Sequence, residues 1–397
     1  MNQAKNILSI QAIRGIAAAL VVFAHAQIIP SYIQKIIGKN FGAFGVDIFF
    51  VISGFIMVYI SKNNFGQKGA AQPFILHRLI RIMPMYLLVT LIVFLIIIPS
   101  GLYLNGSIDD DYLRFLEATK EGSYLLSNLL LIPYFYLTDK SLPPITGVTW
   151  TLIYEMFFYY IFCFLLMTPR KVYLQIACII FSALTLSAYA IEHFHLNGLA
   201  FCYINFYGND LILEFIFGCF IAEQYLAGKT LTINVSWSLL MLGILEILLS
   251  YRGLNSTNLS HFRSLYWGLP SALIVFSLLS LEKEGAIKIP RFLTGWGDAS
   301  YSTYLTHYTI SLVIINAAFK KITNHFPAIF DSLIINTLIV CMICILCIKV
   351  GQLSFKYIEK PMTAFLKKHL LKPKRLSSGI AITEETTDDD AAQRRAL

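Results

Sequence analysis

Apolar residues fall in long blocks along the chain, divided by short polar connections. The blocks cover roughly 10–28, 43–60, 83–99, 148–168, 174–191, 208–226, 236–251, 265–281, 301–318 and 332–352. A helix needs about 20 apolar residues to cross the hydrocarbon core of a bilayer. The pattern therefore predicts an all-α, polytopic integral membrane protein with about ten transmembrane helices. A further run, LLSNLLLIPY at 125–134, is too short to cross and is stopped by Pro133. It reads as an interfacial or re-entrant piece of a long connection, 100–147. After the last block the chain turns polar and ends TEETTDDDAAQRRAL, a composition that predicts a disordered tail. The expected organisation is a transmembrane domain over 1–366 and a cytoplasmic tail over 367–397.

Composition supports this pattern. Of 397 residues, 57% are hydrophobic and only 14% charged, against about 25% charged in a soluble domain. With ten spans, 22 of the 31 lysines and arginines fall on the side that carries both termini, and nine on the other. Basic residues stay in the cytoplasm, so both termini are expected there. An eleventh span at 125–134 would send the basic C-terminal stretch outside. The same bias, together with anionic lipid headgroups, accounts for the net charge of +8; nucleic-acid binding is not needed. The seven cysteines lie in or beside apolar blocks and show no disulfide framework. Cys341, Cys344 and Cys347 have helical spacing, but free cysteine is a common buried small hydrophobe, and no metal is expected.

The first block, RGIAAALVVFAHAQ at 14–27, has two exclusive readings. Ala24-His25-Ala26 fits the small-x-small cut site of a secretory signal peptide. Alternatively the helix is retained, with Arg14 and His25 held at membrane depth. Ionisable groups there are costly and usually functional. At about 100° and about 1.5 Å per residue, the pair lies about 20° apart on one face and about 16 Å apart along the axis. A snorkelling arginine and a hydrogen-bonded histidine would look the same in isolation. Asp47, near the outer end of the second helix, either anchors that helix at the interface or sits at the depth of His25 and orients its imidazole. Glu155 falls in the outer half of the fourth helix. Arg78 and Arg81 share a face at the start of the third, where two guanidiniums at a helix N-terminus suit a phosphate or a lipid headgroup. Tyr301, Tyr304 and His307 make one stripe in the inner part of the ninth helix, open to core packing or to a ligand channel. Glu359-Lys360-Pro361 follows the tenth.

Six segments in order, IQAIRGIAAALVVFAH, GVDIFFVISGFIM, RLIRIMPMY, WTLIYE, SYSTYLTH and YIEKP, resemble the signatures of the membrane acyltransferase-3 family. The likeness runs from about residue 8 to residue 366. It is closest to exopolysaccharide and lipopolysaccharide acetyltransferases that lack an extra C-terminal esterase-like domain. The family resemblance implies a retained first helix and an O-acyltransferase of the bacterial inner membrane. Its donor would be cytoplasmic acetyl-CoA, acting as substrate. Its acceptor would be a hydroxyl of a cell-surface or lipid-linked glycan. Carried over motif by motif, it implies Arg14 and His25 as the catalytic pair, joined by Asp47 and Glu155. It implies Arg78 and Arg81 for the donor, with Ser53, Tyr301 and His307 beside them. Many relatives have a second acidic residue after the glutamate, whereas this chain reads WTLIYEM, which weighs against a mechanism needing a carboxylate pair there. A multi-pass transporter or glycolipid flippase also suits buried charge in a helical bundle; it would move substrate without releasing thiol.

Overall fold

The computed structural model describes residues 7–26, 41–97, 117–136, 140–142, 144–253, 262–309 and 333–371. The described chain is helical apart from one short hairpin. In order it forms α1 (Leu8–His25), α2 (Gly45–Ser61), α3 (Ala71–Ile92, continued by a wide turn Val93–Ile97), α4 (Gly122–Leu130), β1 (Tyr134–Tyr136) and β2 (Lys140–Leu142). There follow α5 (Trp150–Leu166), α6 (Tyr173–His193), α7 (Leu199–Tyr207), α8 (Leu213–Leu226), α9 (Ile233–Gly253), α10 (Leu269–Lys283), α11 (Arg291–Asp298), α12 (Ser300–His307), α13 (Leu333–Ser354) and α14 (Lys360–Leu370). β1 and β2 pair antiparallel, Phe135 opposite Ser141.

Each block predicted to cross a membrane carries a helix. Among the described residues, seven are long and apolar enough to span, or eight if the pair Leu199–Tyr207 and Asp210–Leu226, bent by 44°, is one crossing. At 17 residues α2 is shorter than these. The ninth predicted span is described only as far as residue 309, so the expected ten is not reached by length. The 125–134 run forms the nine-residue α4, ended by left-handed Leu131 (φ 54°), and β1. The last helix runs through residue 370, across the 366/367 boundary drawn from the sequence; the polar tail from 372 on lies outside the described residues.

Two devices fix the packing. Gly54 and Gly218 let α2 and α8 cross with almost no gap. A Cβ on Gly54 would stand 2.1 Å from the Phe215 carbonyl oxygen, and one on Gly218 1.9 Å from that of Val51. With so little hydrophobic drive between helices in lipid, close backbone approach at small residues is a main source of cohesion. The second device is capping. Glu282, at the end of α10, accepts from the Leu8 and Ser9 amides (2.9 and 2.8 Å) and from the Ser9 hydroxyl (2.5 Å). It satisfies orphan donors at the positive end of α1. This contact sets α1 in the core, where Ala17 and Val22 are fully buried.

The connections expected on one side also meet at one end of the bundle. Gly66 donates to the Leu166 carbonyl (2.8 Å), Arg170 forms a two-pronged ion pair with Glu223, and Thr230 donates to Glu284 (2.8 Å).

Candidate active site

A cavity of about 700 Å³, counting its open mouth, lies between α1, α2, α3, α5 and α12. Its polar wall holds Arg14, Ser53, Arg78, Arg81, Glu155 and Tyr301, six of the nine residues to which the family resemblance gives a role. Its apolar wall includes Phe49, Phe50, Ile52 and Met57.

The three cations arrive from two helices. Arg14 projects from the middle of α1 and donates to Gln11, one turn back, at 3.2 Å. Arg78 and Arg81 come from α3. That helix starts at Ala71 rather than near residue 77, because Pro73 falls in its first turn, where a missing N–H costs nothing. The arginines are therefore two turns inside the helix, and its N-terminal amides are not part of their site. The buried Arg78 guanidinium lies 5.6 Å from the Phe74 ring and 5.8 Å from that of Tyr159, with its Nε unpaired. Among the described residues, none of the three arginines stands within ion-pair distance of a carboxylate.

Two carboxylates act on this charge from a distance. Glu155 accepts from Ser53 (3.3 Å) and from Tyr159 on the next turn of α5. Glu359, in the wide turn after α13, is buried and accepts from Ser302 at 2.5 Å. Tyr301 donates to the Ile82 carbonyl at 2.7 Å, tying α12 to the arginine helix. The cavity is thus a pocket with excess positive charge and an apolar lining.

His25, His307 and Asp47 are not on its wall. At one end the wall is Tyr304, whose hydroxyl bonds Thr151 (2.7 Å) and the Val148 carbonyl (2.8 Å). Behind it stand the two histidines, the His307 ring 5.7 Å from the Tyr304 ring. His25 Nδ1 lies 3.4 Å from His307 Nε2, with the rings 5.2 Å apart. His307 therefore shares the depth of His25, at the C-terminal end of α1, and is not at the inner end of the bundle as its position in the ninth block predicted. The tautomers follow from the acceptors. His25 Nδ1 lies 2.9 Å from the Val21 carbonyl and His307 Nδ1 2.6 Å from that of Tyr304. A carbonyl only accepts, so Nδ1 carries the proton in both rings and Nε2 is the basic nitrogen.

Asp47 does not orient His25. It is fully buried, and Arg263 grips both its oxygens at 2.8 Å. The reason is register. Gly45 sits against the Ala17 carbonyl, so α2 begins about 12 Å below His25 at about 1.5 Å per residue. The Arg263 guanidinium also lies 4.9 Å from the Trp267 ring. Nearby, Asp210 accepts from the Ser264 amide (2.7 Å), and Glu214, fully buried, packs against Gly268. Sequence reasoning missed Arg263, Asp210 and Glu214, because nothing local joins partners that lie 54 to 216 positions apart. It also missed Tyr159, although its i+4 spacing from Glu155 was there to read.

The family model for the acyltransferase domain matches residues 7–348. The chain belongs to the acyltransferase-3 family. It is 30% identical over 326 residues to the exopolysaccharide production protein ExoZ of Rhizobium meliloti (strain 1021), covering 81% of this chain and 89% of that one. No solved structure matches the chain. As an acyltransferase of this family it is a multi-pass membrane protein, and its first helix is integral to the bundle. The buried face of α1, with Arg14 on the cavity and Gly15 against Gly297, is not a segment the fold can lose.

Proposed function

We propose that the protein transfers an acetyl group from acetyl-CoA to a hydroxyl of an extracellular or lipid-linked glycan, in the bacterial inner membrane with both termini in the cytoplasm. The observation that carries this reading is the cavity: three arginines with no paired carboxylate among the described residues, an apolar lining, and Tyr304 in its wall with His307 and His25 behind it. Phosphates suit guanidiniums, which bind them in two-pronged fashion. An extended pantetheine arm suits a narrow apolar passage, and its reach is of the order of the Arg14–His25 separation. Family membership supports the acyl chemistry, and the named role of the Rhizobium relative in exopolysaccharide production supports a glycan acceptor. The excess of basic residues at the end that carries both termini supports the orientation.

In this reading the phosphates bind at Arg78 and Arg81, Arg14 holds a phosphate or pantetheine oxygen, and the acyl end passes Tyr304. His25 Nε2 takes the proton of the acceptor hydroxyl as its oxygen attacks the thioester carbonyl. The carbon–sulfur bond breaks, and His25 returns the proton to the leaving thiolate. The products are the glycan ester and CoA thiol, with His25 neutral again. A general base contributes typically 10²- to 10⁴-fold.

The test is thiol release from acetyl-CoA by purified protein, with acetylation of the extracellular polysaccharide followed by mass spectrometry. His25→Ala is expected to lose at least about 10²-fold in turnover while remaining inserted and folded. Normal turnover by that variant would refute the reading.

A further inference from the structure

We infer that His307 is the positioning residue for His25, standing where a carboxylate would stand in a base-orienting dyad. This rests on the reading of His25 as the base. Three observations carry it. The Tyr304 carbonyl fixes the His307 ring by taking its Nδ1 proton at 2.6 Å, which turns the Nε2 lone pair outward. That nitrogen meets His25 Nδ1 at 3.4 Å, so the His25 proton is shared between Val21 and His307. His307 is fully buried, and the acid that the sequence offers for this role, Asp47, is occupied by Arg263.

The resulting relay has one direction. The Tyr304 carbonyl orients His307, His307 orients His25, and the basic Nε2 of His25 faces the acceptor hydroxyl. An imidazole held in the wrong tautomer presents an N–H where a lone pair is needed, and cannot take the hydroxyl proton. When His25 is protonated during the reaction, its Nδ1–H remains matched to the His307 lone pair. His307 gains and loses no proton and makes no bond to donor or acceptor. A neutral acceptor stabilises the imidazolium less than a carboxylate does. The loss on its removal is therefore smaller than the about 10⁴-fold seen when a serine protease triad loses its acid.

Two substitutions separate positioning from packing. His307→Asn keeps a side-chain donor for the Tyr304 carbonyl but is too short to reach His25. His307→Gln can place its amide oxygen near the position of Nε2. Each variant is purified in detergent and given acetyl-CoA labelled in the acetyl group, with polysaccharide from a host lacking the gene. His307→Asn is expected to lose about ten- to a hundredfold in kcat, with KM for acetyl-CoA within about twofold of wild type. His307→Gln is expected to recover most of that loss. Combining His307→Asn with His25→Ala should cost no more than His25→Ala alone, since residues that act as one unit are not additive. Wild-type kcat in His307→Asn, a rise in KM alone, or a His307→Gln no better than His307→Asn would overturn the inference. If His25→Ala is inactive while the His307 variants turn over normally, the positioning role falls and the base assignment stands. If His25→Ala is active, the base assignment falls first.

Discussion

The bundle buries arginine in two ways. Arg263 meets Asp47 with both nitrogens at 2.8 Å, and a nearby carboxylate, Asp210, is taken up by the Ser264 amide. Arg14, Arg78 and Arg81 instead face a shared cavity with Glu155 and Glu359 held off by hydroxyls of their own, from Ser53, Tyr159 and Ser302. In the first cluster the arginine has its counter-charge built in, Asp47, and the pair locks α2 to the turn that precedes α10. In the second they leave positive potential for a ligand. Residue type does not separate structural charge from functional charge; what separates them is whether the counter-charge is built in.

The sharpest way to break this contrast is to unpair Arg263. Asp47→Ala leaves a mostly buried guanidinium without its two-pronged partner and is expected to cost about 3–5 kcal/mol of stability, read as a lowered unfolding temperature in detergent. Adding Arg263→Met should restore much of it, because a buried ion pair replaced by apolar side chains is often neutral. If Asp47→Ala is stable but inactive, Asp47 belongs to the chemistry and the contrast fails. Next in size is Arg81→Ala. Hydrogen bonds to charged groups are worth about 1.5–3 kcal/mol, so acetyl-CoA binding by calorimetry should weaken about ten- to a hundredfold, with little change in unfolding temperature. Smallest is Glu155→Gln. Removing one negative charge from the cavity should tighten acetyl-CoA binding by less than about tenfold, and less still at high salt, where exposed charges are screened. Weaker binding would place Glu155 on the donor itself.

Much of this architecture was legible in the chain. Among the described residues each helix long and apolar enough to span falls on an apolar block, because lipid leaves the backbone almost no alternative to a helix. The one-face alignment of Arg14 and His25 needed only that α1 be continuous. Arg78 and Arg81 were visible by their spacing, but their place on α3 was misjudged: counting apolar residues misses the polar first turns of the helix, which begins at Ala71. His307 was visible as a residue, but its contact with His25 was not.

By itself, the sequence determined the all-helical membrane class, the rows of charge within single helices and the family, since these depend on local periodicity and on the cost of placing polar groups in lipid. Only the tertiary structure decided which charges meet. Asp47 with Arg263 and His25 with His307 are 216 and 282 residues apart. Their pairing follows from helix register, set by close approaches such as Gly45 on Ala17 and Gly54 on Phe215. A shift of one helical turn, about 5.4 Å, is enough to exchange one counter-ion for another, and no single helix carries the information to prevent it.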